Sequence, residues 1–162
     1  FIYLSLNTIG NFKIKNCMKM FRGDVENPIK SVKTNYKHIL ATFAYKEPLD
    51  LIQRCLRNLT SMNGSNEAIM VVCLEERTPD LDNKIEEIAR EFEQKFSKLI
   101  FTIHPYGVEG DIPGKCSNCN YGIRSLYNHL KEENPNIKPE EYILTNLDID
   151  TVFHKNFLDI LN

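Results

Sequence analysis

The chain has 162 residues, of which 42% are hydrophobic and 26% charged, which is about one domain of ordinary globular composition. A formal charge of −2 and a pI near 6.1 argue against a strongly basic surface for nucleic acid or acidic lipid, so no nucleic-acid partner is expected. No apolar run approaches the roughly 18–20 residues of a membrane-spanning helix. The five cysteines, Cys17, Cys55, Cys73, Cys116 and Cys119, are odd in number and irregularly spaced, unlike a secreted disulfide scaffold, so a reducing, cytoplasmic setting is expected.

The segment Phe1 to Ile9 is fairly apolar but broken by Ser5, Asn7 and Thr8, and carries neither a charged leader nor a small-residue cleavage site. The start at Phe1 rather than Met raises the expectation of a missing N-terminus. Gly10 to Asn35 is polar, rich in Lys and Asn, and aperiodic. Residues 1–36 are therefore read as a polar arm and 37–162 as the ordered domain.

His38 to Ala44 is a short apolar run, expected to be a buried strand. Pro48 suits the first turn of a helix. Leu49, Ile52, Cys55, Leu56, Leu59 and Met62 then recur on one face, with Asn63-Gly64 expected to close the helix. Ala68 to Leu74 is the second strand. Thr78 and Pro79 are expected as N-cap and first residue of a second helix, whose stripe is Leu81, Ile85, Ile88, Ala89, Phe92 and Phe96. Leu99 to Ile103 makes a third strand, followed by a long loop with Pro105, Gly107, Gly110 and Gly114. Cys116 to Leu130 is read as a helix and Tyr142 to Leu147 as a fourth strand. Continuous apolar strands alternating with amphipathic helices imply an α/β fold with a mostly parallel sheet covered on both faces. Ligands of such sheets bind beyond the carboxyl ends of the strands, which directs attention to 44–48, 75–79, 104–120 and 148–154.

Asp148-Ile149-Asp150 leaves the fourth strand, where alternate side chains face the same way and two carboxylates can converge. Hard oxygen ligands suit Mg²⁺ or Mn²⁺, bound through one or two carboxylates plus substrate phosphates. The ordinary alternative is a solvated acidic pair, since DxD alone is a weak pattern. Glu75 and Glu76 follow the second strand and could accept from a ribose hydroxyl or a base N–H, against the reading of a charged surface turn. Glu47 is ambiguous in the same way, and Tyr45 either stacks on a base or packs a corner. Lys115 lies just before a helix N-terminus at the end of the glycine-punctuated loop, a suitable place for an anion. That glycine spacing matches neither a P-loop nor a dinucleotide fingerprint. Cys116 and Cys119 form a CxxC at the same helix start, where a thioredoxin-like redox site is a rival and coincidence the blander reading. His104 and His154 flank the same edge and read as ordinary loop or partly buried histidines, while His38 and His129 carry no signal.

Four segments in order resemble the family-2 glycosyltransferases of the GT-A type. Phe43-Ala44-Tyr45-Lys46-Glu47-Pro48 looks like the family's first-strand exit, usually Pro-Ala-Tyr-Asn-Glu. Glu75-Glu76-Arg77-Thr78-Pro79-Asp80 looks like its acidic turn, usually Asp-Asp-Gly-Ser-Thr-Asp. Gly114-Lys115-Cys116-Ser117-Asn118 is similar to its Gly-Lys-small-x-Asn loop, and Leu147-Asp148-Ile149-Asp150-Thr151 to the DxD segment. The resemblance covers roughly residues 38–162. It implies a Rossmann-like GT-A three-layer sandwich that binds a UDP- or GDP-linked sugar through Mg²⁺ or Mn²⁺ for transfer to a glycan, lipid or protein acceptor. By matched position it implies nucleoside contacts from Tyr45 and Glu76, with Ala44, Glu47, Glu75 and Asn118 nearby. Lys115 would lie on base or phosphate, Asp148 near the ribose or donor sugar, and Asp150 on the metal. Glu in place of Asp lengthens the reach at the acidic turn, and Phe43 replaces a usual Pro or Thr.

Twelve residues follow Asp150, whereas the family carries its acceptor site and catalytic base later in the chain. An inverting transfer needs such a base within hydrogen-bond reach of the acceptor hydroxyl, and no residue here is assigned that role. An incomplete catalytic domain, truncated after the DxD, is therefore expected, with possible membrane association through regions outside this chain. Asp148-Ile149-Asp150-Thr151-Val152 also fits the haloacid-dehalogenase-type phosphatase motif, with Asp148 as nucleophile, although there the motif opens the chain.

Overall fold

The computed structural model describes residues 36–161, so the polar arm expected over 1–36 lies outside the described residues except for Tyr36. Within them, β1 (Lys37–Phe43), β2 (Ile69–Glu75), β3 (Lys98–His104) and β4 (Tyr142–Leu147) form a four-stranded sheet in the order β3-β2-β1-β4. Every pairing is parallel. The helices between them are α1 (Leu49–Thr60), α2 (Leu81–Phe92) and α3 (Lys115–Glu133), and a short α4 (Phe157–Leu161) follows β4.

Period-two side-chain alternation divides the strands between two cores. Leu40, Met70, Val72 and Leu74 pack with Ile52, Leu56 and Leu59 of α1, Ile88 and Phe92 of α2, and Leu158 of α4. Ile39, Ala41, Phe43, Val71 and Cys73 face the other way, onto Leu126 and Leu130 of α3. Both faces are covered, which is why the strands read as unbroken apolar runs rather than as alternating ones. Parallel crossovers are right-handed, so stepping from β1 to β2 to β3 keeps α1 and α2 on one side. Returning past β1 to reach β4 requires α3 on the other.

That reversal leaves a crevice between the carboxyl ends of β1 and β4. The register pairs Phe43 with Cys73, Thr42 with Leu147 and Glu75 with His104, so all four strands release their loops at one edge. α3 approaches the sheet closely because Gly122 faces Cys73. A Cβ at Gly122 would lie 2.4 Å from the Cys73 sulfur and 3.0 Å from the Thr102 hydroxyl.

Two boundaries differ from the sequence reading. Thr78 does not cap α2. Its hydroxyl accepts the Glu75 N–H at 3.1 Å while its own N–H donates to the Glu75 carbonyl at 2.9 Å, which closes a turn at the strand end. The helix begins only at Leu81, after Asp80 in the left-handed region at φ 53°. A Thr can satisfy either a strand-end turn or a helix start, and here the turn wins. Similarly, α1 ends at Thr60 with Ser61 as its cap, and Gly64 at φ 75° instead leads a short 3₁₀ turn over Ser65–Glu67. Among the described residues no helix is long and apolar enough to cross a membrane.

Candidate functional site

The crevice is a cleft of about 580 Å³ lined by residues that follow β1 and β4, the end of β2 and the start of α3, including Ala44, Tyr45, Glu47, Glu75, Lys115, Asn118, Asp148 and Asp150. Its size falls in the usual range for small-molecule sites. Eight of the residues singled out from the sequence thus share one concave surface.

Around Asp148 the chain leaves β4 with Asp148 and Asp150 exposed on either side of buried Ile149. The apolar residue anchors the turn, and the Thr151 N–H donates to the Asp148 carbonyl at 3.0 Å. Asp148 forms an ion pair with Lys115 at the start of α3. Lys115 is delivered there by Gly114, whose φ of 155° and ψ of 177° fall in a region that glycine alone adopts readily. Among the described residues no group of three or more His, Cys, Asp or Glu side chains is placed to hold a metal ion. Two exposed carboxylates are still a sufficient oxygen donor set for Mg²⁺ or Mn²⁺ when phosphate oxygens and water complete the shell.

The segment after Asp150 is fastened to α1. The Asn58 side chain donates to the Phe153 carbonyl at 3.2 Å and accepts the Phe153 N–H at 2.8 Å, an amide pairing across 95 residues of sequence. The Asn63 N–H adds a bond to the Lys155 carbonyl at 2.8 Å.

The loop after β1 is held from within and from below. The Tyr45 N–H donates to the Glu47 carboxylate at 2.6 Å, and the buried Lys84 ammonium of α2 donates to the Glu47 carbonyl at 2.9 Å. Asn118 is 2% exposed, and its amide nitrogen donates to the Cys73 carbonyl at 3.2 Å, which also accepts the Ala44 N–H at 2.9 Å. Asn118 therefore ties the start of α3 to the ends of β1 and β2, while its carbonyl oxygen is buried with no hydrogen-bond partner.

Glu76 does not line the cleft. Its carboxylate accepts the Tyr106 N–H at 2.8 Å, which joins the loops after β2 and β3. Arg77 packs there too: its guanidinium carbon lies 3.8 Å from the Tyr106 ring centroid and 5.4 Å from that of Tyr45, and a terminal nitrogen is 3.6 Å from Glu75. Below it, the buried His104 ring meets Asp111 at 2.8 Å and Tyr121 at 4.9 Å between centroids. The Ser117 hydroxyl, and after it the His104 ring, hold the Asp111 carboxyl below the usual carboxylate range.

Sequence reasoning missed Arg77, Lys84, Asn58 and the His104–Asp111 pair. Only Arg77 left a trace, as a long cationic residue where the resembling pattern has Gly. Cys116 is exposed and Cys119 half-buried, both as free thiols, with Cys119 accepting from the Asn146 amide at 3.2 Å. Burial pushes the thiols of Cys55 and Cys73 up to about 11, which makes both poor nucleophiles.

Fold and cleft together define an α/β protein with an all-parallel sheet and, at its topological switch point, a crevice lined by both apolar and charged side chains. Comparison of the chain with protein-family models, curated proteins and solved structures finds no match.

Proposed function

We propose that this cleft binds a nucleoside-diphosphate sugar through a divalent cation and belongs to a glycosyltransferase of the GT-A kind. The observation that carries the reading is the convergence of Asp148, Asp150 and Lys115 with Tyr45 and Glu75 in one cleft of about 580 Å³. Before ligand arrives, the Lys115 ammonium and the Asp148 carboxylate neutralise one another. A metal diphosphate offers each a better partner, because the cation takes the carboxylates and the phosphate oxygens take the ammonium. When bound, the metal neutralises charge that builds on the diphosphate leaving group. Tyr45 supplies a ring face for a base, and Glu75 an acceptor for its N–H groups or for ribose hydroxyls. The protein's own part is donor capture. Deprotonation of the acceptor hydroxyl falls to a group outside the residues assigned here.

Titration calorimetry of UDP and GDP with and without Mn²⁺, on the wild type and Asp150→Ala, tests this. Binding in the micromolar-to-millimolar range, about −8 to −4 kcal/mol, is expected with Mn²⁺ and is lost in the variant. A wild type that binds neither nucleotide in the presence of Mn²⁺ sinks the reading.

A further inference from the structure

β3 is an outer strand of the sheet. It pairs with β2 over all 7 of its residues in unbroken register, and no strand lies on its far side among the described residues. The Glu76 N–H donates to the His104 carbonyl at 2.9 Å, so the main chain of His104 faces β2, and by alternation so do those of Thr102 and Ile100. Leu99, Phe101 and Ile103 therefore turn their N–H and C=O groups outward. Edge strands are commonly guarded by charges, proline or a bulge, and the run from Leu99 to Ile103 contains none of these. Ile103 is also 40% exposed. Along this edge runs a groove of about 330 Å³ between Ile100 to Ile103 and a stripe of α3 at four-residue steps, Tyr121, Ser125 and His129.

The edge is its own complement. With two β3 strands antiparallel about a twofold axis at Phe101, Phe101 meets Phe101 and Leu99 meets Ile103, so the outward groups of all three residues bond in register. The exposed Ile103 side chain is then covered by Leu99 of the second copy. On the other face Ile100 stands opposite Thr102, and Lys98 opposite His104, whose ring holds the Asp111 carboxylate. Each end of the seam thus brings a cation to an anion, in addition to the Glu133 that Lys98 already meets in its own chain. α3 runs against β3, with Tyr121 on His104 and Glu133 on Lys98, so the same axis passes near Ser125. Tyr121 of one copy then faces His129 of the other across a small residue. We propose that this edge joins two copies of the chain, β3 against β3, into one continuous sheet.

The dimer stands apart from the nucleotide reading, since no residue of the groove lines the cleft. Sedimentation equilibrium of the full chain across the micromolar range tests it, with folding checked by circular dichroism. The wild type is expected to be a dimer that dissociates on dilution. Ile103→Lys places a charge on the seam at an already exposed position, and should raise the dissociation constant by at least about tenfold without loss of fold. Ile103→Pro keeps an apolar side chain but removes an outward N–H that the β2 ladder does not use, and should weaken the dimer likewise. Leu144→Lys, on the opposite edge strand, should leave it intact. A wild type that stays monomeric throughout the range overturns the proposal. So does a dimer that persists in folded Ile103→Lys, or one lost in Leu144→Lys instead.

Discussion

Lys115 and Asp148 are 57% and 59% exposed at their side chains, so their ion pair is a weak source of stability. Lys115→Ala is expected to change unfolding free energy by no more than about 0.5 kcal/mol. The same change should weaken metal-dependent nucleotide binding roughly tenfold, since one charge-assisted partner of the phosphate is gone. Urea denaturation and calorimetry on one preparation separate the two effects. Gly122 is the reverse case, outside the lining of the cleft and packed against Cys73 and Thr102. Alanine is normally the better helix residue by about 1 kcal/mol. Here its methyl would meet the Cys73 sulfur at 2.4 Å, and overpacking of a tight core costs roughly 1–3 kcal/mol. Gly122→Ala should therefore destabilise, and Cys73→Ala in the same chain should recover most of the loss. A double-mutant cycle in urea decides it.

At the scale of elements, the loops matter more than the helices they join. The loop from Pro105 to Gly114 is closed at its base by His104 and Asp111. The folded-state carboxyl of Asp111 is depressed, so the stabilisation it supplies is fully present above the unfolded carboxylate value of about 3.9 and is lost as pH falls through the lower folded value. Protection of the amides in this loop, relative to their intrinsic exchange rates, should fall in acid below about pH 4. Asp111→Asn should show fast exchange already at neutral pH, with the acid step gone. An exchange profile identical to wild type would mean that the pair does not close the loop. The segment after Asp150 depends similarly on α1. Asn58→Ala removes two hydrogen bonds to Phe153 and should cost about 1–2 kcal/mol. Because the released segment follows the turn proposed to hold the metal, Mn²⁺-dependent binding should weaken with it.

At the scale of the molecule, ligand and fold are coupled by mass action. A nucleotide and Mn²⁺ at a hundredfold excess over Kd should stabilise the folded chain by about 2.7 kcal/mol, and Asp150→Ala should abolish the rise in Tm. Cys116→Ser with Cys119→Ser should leave that rise intact, whereas a redox module would lose its function and ignore the metal.

The strands, the helices and the edge at which loops gather were legible in the sequence because each follows from local periodicity. Residues Ile69 to Leu74 can hardly be other than a strand buried on both faces, and the stripe from Leu81 to Phe92 belongs on a helix. Most of the candidate site was legible for the same reason: residues leaving parallel strands must emerge together. Pairing across the loops was not. Glu76 was expected beside Glu75 in the cleft, yet it turns to the Tyr106 amide, a partner 30 residues away. Nothing local distinguishes the two glutamates. Thr78 was misread because its hydroxyl had two possible local partners, and the strand-end turn used it. Arg77 over two rings, Lys84 beneath Glu47 and Asn58 against Phe153 are all contacts between segments far apart in the chain. Composition and spacing by themselves determined an α/β chain with acids and a lysine at one rim. Only the tertiary structure decided which of those groups stand free in the cleft and which are committed to one another, because hydrogen bonds and ion pairs are settled by distance in space, and the sequence records distance along the chain alone.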